Sequence, residues 1–65
     1  MTLKELNVIK KCVEKLGIDE KAGIATKDVL DLSEKVSKYD TQLGTLIRLL
    51  TPNDLHDFIV NKLYG

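Results

Sequence analysis

Between Thr26 and Leu50 the apolar residues Val29, Leu32, Val36, Tyr39, Leu43, Leu46 and Leu50 follow one another at steps of three and four. That spacing keeps one face of a helix oily for as long as the helix lasts. It predicts helix, and a stripe that must be laid against other helices. A second stripe, Leu6, Ile9, Val13 and Leu16, predicts a first helix from about Leu3 to Leu16. Thr2 with Glu5 three residues later is a capping box at its start. Gly17 supplies the left-handed residue that ends it, and Ile18 is expected to fold back on the last turn. Asp19 to Ala25 reads as a connector broken again at Gly23, with Ile24 plugging the core from the loop.

The next helix is expected to start near Thr26 as N-cap, with Asp28 and Asp31 in its first turns, where the helix dipole favours negative charge. Two readings of the stretch up to Leu50 compete. An unbroken stripe without proline favours one long helix. The capping types Ser37, Asp40 and Thr41, and Gly44, which weakens a helix by about 1 kcal/mol relative to Ala, favour two. A long helix would overhang its partners in so short a chain, and this tips the balance to a break around Ser37–Thr41. Thr51-Pro52-Asn53-Asp54 then starts a last helix, with a capping threonine ahead of proline at the first helical position. It runs to about Leu63 with Leu55, Phe58, Ile59 and Leu63 inward. No segment shows strand alternation. The expected fold is all-α, a bundle of three or four helices forming one domain over residues 1–65. Leu6, Ile9, Val13, Val29, Leu32, Leu46, Phe58 and Ile59 are its expected core.

Composition narrows the setting. A chain of 65 residues buries only about 60% of the surface that its unfolded form exposes. Cys12 is the only cysteine, so no internal disulfide can add to stability, and a lone thiol fits a reducing compartment. No apolar run approaches the roughly 18 residues of a membrane span. Lys4, Glu5, Lys10 and Lys11 interrupt any signal-peptide pattern. These features, with Met1, lead to the expectation of a complete, small, soluble cytoplasmic protein. Ten basic and ten acidic residues balance to zero, and no segment of the chain is strongly basic. That weighs against a general nucleic-acid binder, which needs a basic stripe.

Chemistry is sparse. Cys12 lies far in sequence from His56, the only histidine, and away from a helix N-terminus that would stabilise a thiolate. His56 adjoins Asp57, but neighbours on a helix point about 100° apart and are not expected to pair. One Cys and one His fall short of a structural zinc site. The pairs Asp28/Asp31 and Asp54/Asp57 are explained by their places in first helical turns. No enzyme activity, cofactor, metal or small-molecule substrate is expected.

Two local patterns remain. Thr26–Leu50 can be laid out as a helix-turn-helix, with Ser33 at the small inter-helix position and Val36, Leu43 and Leu46 at core positions. Gln42, Thr45 and Arg48 would then face outward as base-reading and phosphate-contacting types. The turn position that favours glycine is Ser37 here, and the apolar position after it is Lys38. Separately, Gly23-Ile24, Asp28-Val29-Leu30 and Leu32-Ser33-Glu34-Lys35-Val36 resemble the second half of the small helical-hairpin aspartyl-phosphate phosphatases of sporulation signalling. That family's Ser-Gln-x-Leu-Asp signature reads Ser33-Glu34-Lys35-Val36-Ser37 here. Its acidic residue is replaced by Ser37, so the activity is not carried over.

The apolar residues off the stripes are the stronger lead. Val8 and Cys12 widen the first helix's oily face, Leu30 and Leu49 stand off the central stripe, and Val60 and Tyr64 stand off the last. Together they exceed what a small bundle can enclose. The expected function is a protein–protein interaction or regulatory module, a homodimer or a subunit of a larger complex, with Val8, Cys12, Leu49, Val60 and Tyr64 as its contact surface. A DNA-binding regulator using Gln42, Thr45 and Arg48 is the alternative. A membrane partner is not expected.

Overall fold

The computed structural model describes all 65 residues and contains four α-helices and no strand. Helix α1 spans Leu3–Leu16, α2 Thr26–Ser37, α3 Thr41–Arg48 and α4 Pro52–Phe58. A 3₁₀ turn, Glu20–Ala22, lies in the first connector, and α4 continues into a wider π turn over Ile59–Leu63. The small all-α bundle read from the sequence is the observed fold.

Local chemistry accounts for most boundaries. Thr2 Oγ1 accepts from the Glu5 N–H (3.2 Å), and Glu5 Oε1 accepts from the Thr2 N–H (3.0 Å), closing the capping box. Gly17 ends α1 at φ 68°, in the left-handed region, which glycine enters without a Cβ clash. The Ile18 N–H then bonds back to the Val13 carbonyl (3.2 Å). Thr51 Oγ1 accepts from the Asp54 N–H (3.1 Å) with Pro52 first in α4. At α2 the expectation shifts by one residue. Ala25 is the N-cap and Thr26 is already helical, because the Asp28 carboxylate reaches back to the Ala25 N–H (2.9 Å) and does the capping itself.

The central stretch is two helices. Lys38-Tyr39-Asp40 forms the connection, and Asp40 Oδ1 caps α3 by accepting from the Leu43 N–H (3.1 Å). The break shifts the stripe without abolishing it: Leu43 stays buried and Leu50 packs against the core as expected. Val29, Leu32 and Val36 of α2 are buried as expected, but α3 buries Leu43, Gly44 and Ile47. Leu46, expected in the core, is 55% exposed, and Tyr39 is 61% exposed at the connection. Leu16, expected inward, also lies at the surface.

The reason for the new phase is Gly44. Helices α2 and α3 pack closely along Ser33, Ser37 and Gly44. A Cβ at residue 44 would run into the Ser37 side chain and come within 2.7 Å of the Ser33 carbonyl oxygen. Ser33 is buried, and its hydroxyl donates to the Leu30 carbonyl (2.9 Å), which satisfies it inside the helix pair. Turning this small-residue face toward α2 directs Ile47 into the core and Leu46 out of it. The core is completed by Ile9, Cys12 and Val13 of α1, Leu55 of α4 and Ile59 of the π turn. Ile18, Ile24, Phe58 and Leu63 pack half-buried at its edge.

Candidate functional site

The outward face of α3 carries Gln42, Thr45, Leu46 and Leu49, all exposed. Leu46 and Leu49 are three residues apart and so neighbours on one side of the helix. They are 55% and 76% exposed, and Leu49 is the most exposed of the large apolar side chains. No charged residue lies among these four. Arg48 is also exposed, three residues from Thr45 and so beside it at the edge of this face. Thr45 is partly committed locally, its hydroxyl donating to the Thr41 carbonyl (3.0 Å). The three residues of the DNA reading, Gln42, Thr45 and Arg48, are therefore all at the surface of α3, but they share it with two leucines, Leu49, expected there, and Leu46, expected in the core.

The expected contact residues are not gathered into one patch. Cys12 is fully buried in the core, so it is corrected from surface to interior. Burial pushes its thiol above the ordinary range, with Lys35 and Lys15 pulling more weakly the other way. Val8 is half-buried on one flank of α1, beside Lys11 and Tyr39. Tyr64 lies against the other flank, with the Lys10 ammonium 5.0 Å from its ring centroid. That distance is within cation–π range. Desolvation, then the carboxylates of Glu14 and Glu20, raise the Tyr64 phenol above its ordinary value. Val60 is exposed one turn before Tyr64. Only Leu49 belongs with α3, as its C-cap residue, and its companion Leu46 was hidden from sequence reading because the stripe continues in register through a break in the backbone.

The remaining candidates are solvated. His56 Nδ1 lies 3.6 Å from Asp57 Oδ1, so these neighbours do approach, contrary to expectation. Both side chains are well exposed, and the separation exceeds a hydrogen bond. No three His, Cys, Asp or Glu side chains are grouped so as to hold a metal ion. No helix is long and apolar enough to cross a membrane. The chain matches no known protein family, curated protein or solved structure.

Proposed function

We propose that this chain is a small interaction or regulatory module that works by helix-on-helix packing through the outward face of α3. Its first partner on this reading is a second copy of itself, and otherwise a larger protein of which it is a subunit. The observation that carries the reading is the Leu46/Leu49 pair. Full burial of a leucine is worth about 1.5–3 kcal/mol, and most of it is not realised at these two within the single chain. The strip formed by Gln42, Thr45, Leu46 and Leu49 carries no charge of its own, and Arg48 lies at its edge. A standard interface takes about 800 Å² from each partner, under a fifth of the 4450 Å² surface. Helix α3 would supply its centre and the neighbouring elements its rim. A dimer of this kind melts at a temperature that rises with concentration. An unchanged melting temperature across about a hundredfold dilution contradicts self-association.

One observation supports a second reading, a DNA-binding regulator. Helices α2 and α3 are joined by a three-residue connection, 38–40, with Gly44 seated against α2. On this reading Gln42 and Thr45 read base edges and Arg48 holds a phosphate. It predicts duplex binding that weakens with salt and on Arg48→Ala. Absence of any retention of duplex DNA at low salt contradicts it.

A further inference from the structure

Lys4, Val8, Lys11 and Lys15 fall within about 60° of one another around α1, at 100° per residue. No acid of α1 shares that arc. Glu5 and Glu14 each lie about 60° beyond it on either side, and Glu5 is committed to the Thr2 backbone N–H and hydroxyl (3.0 and 2.9 Å). None of the three lysines has a carboxylate within 4 Å, since the one close pair of oppositely chargeable groups in the molecule is His56 with Asp57. The open, solvent-facing side of α1 here is formed by Leu3, Lys4, Asn7, Val8 and Lys11. Leu3 is 73% exposed. A recess of about 100 Å³ adjoins it, walled by Val8, Lys11 and Tyr39. Tyr39 is held upright there by Lys15, whose Nζ donates to the phenol oxygen (3.3 Å). This face thus sets three lysines between the apolar side chains of Leu3 on one side and Val8 and Tyr39 on the other, with no carboxylate in its lining, on a protein whose net charge is zero.

We infer that this face of α1, with the Tyr39 recess beside it, docks an acidic amphipathic segment of another protein, its apolar side chains lying on Leu3, Val8 and Tyr39 and its carboxylates meeting Lys4, Lys11 and Lys15. Charge complementarity selects this occupant. A two-fold mate laid on the same face would set lysines against lysines, and like charges brought together in an interface are strongly unfavourable. The lysines span eleven residues of helix, about 17 Å, which matches about three turns of a partner helix. A nucleic-acid backbone would use the lysines but leave Leu3 and Val8 without a role. This face is distinct from the α3 strip, so the two readings stand or fall separately.

The test uses the full chain and a fluorescent helical peptide of about 14 residues, four turns, with leucines on one face and glutamates along its edges. Matched peptides carry glutamine or lysine in place of glutamate. Anisotropy titration is expected to show binding of the glutamate peptide, about tenfold weaker binding of the glutamine peptide and none of the lysine peptide. Binding should weaken as salt rises from about 0.05 to 0.5 M. The doubly substituted chain Lys4→Glu/Lys11→Glu should reverse the order of the peptides, and Tyr39→Ser should weaken the glutamate peptide while leaving the helical circular dichroism unchanged. Amide shifts on titration should centre on α1 and Tyr39. Leu46→Asp/Leu49→Asp should bind the peptide as the unaltered chain does. Equal affinity for all three peptides, indifference to charge reversal, or shifts centred on α3 would overturn the inference. So would duplex DNA or phosphatidylserine vesicles binding where the glutamate peptide does not.

Discussion

A methyl group added at Gly44 meets the Ser37 side chain, with Ser37 Cβ at 2.8 Å and the Ser33 carbonyl oxygen at 2.7 Å. The serine hydroxyl can rotate aside, but the carbonyl belongs to α2's backbone and cannot. Alanine ordinarily improves a helix by about 1 kcal/mol over glycine. At residue 44 the sign reverses, and Gly44→Ala is expected to cost about 1–3 kcal/mol as α2 and α3 are forced apart; urea denaturation measures it. The same re-phasing separates two adjacent residues sharply. Ile47→Ala should cost about 2–5 kcal/mol, whereas Leu46→Ala, measured on the dilute monomer, should stay within about 0.5 kcal/mol. An equal loss at both would mean that α3 is not phased as described. Cys12 gives a chemical readout: its buried, protonated thiol should resist alkylation in the folded chain and react fully once denaturant unfolds it. Its raised pKa adds stability below the ordinary thiol range, and this is lost as pH rises through that range and beyond, because the unfolded chain ionises first.

At the scale of elements, the parts legible in the sequence were those governed by neighbours along the chain. The capping box at Thr2 and Glu5, the left-handed Gly17 and the Thr51-Pro52 start of α4 each depend on residues three or four apart, so spacing alone locates them. The phase of α3 depends on which side of it fits α2, a contact between Gly44 and Ser33 that no period along the chain reveals. The heptad therefore predicted helix correctly and misassigned Tyr39 and Leu46. Two of these caps can be tested. Asp40→Ala leaves the Leu43 N–H without its 3.1 Å acceptor and should cost about 1 kcal/mol in thermal unfolding. The hydrogen bonds from Thr2 hold the Glu5 carboxyl below its ordinary value. The contribution of this cap is present above the usual carboxylate range and is lost as pH falls through the lowered value. Amide exchange at the first turn of α1 should quicken there before the rest of the helix responds.

For the whole molecule, the surface divides by chemistry into two faces. Helix α1 presents lysines flanked by apolar side chains, and α3 presents a strip of uncharged side chains with two exposed leucines. Neither was legible as a surface in the sequence. The α1 face needs Tyr39 brought over from the α2–α3 connection, and the α3 strip needs the broken helix to turn Leu46 outward. The residues chosen from their offset along the stripes, Val8, Cys12, Leu49, Val60 and Tyr64, end up on both flanks of α1, in the core, on α3 and after α4. Offset from a stripe shows that a side chain is surplus to that stripe; it does not show which neighbour covers it. The central proposal, that the α3 face is a packing surface for a second copy, is tested most directly by solution mass. Light scattering behind a sizing column, at two concentrations, is predicted to give a dimer at the higher one and a monomer at both for Leu46→Asp/Leu49→Asp, with unchanged helical content. A monomer at both concentrations for the unaltered chain, or a dimer that survives the double substitution, would contradict it.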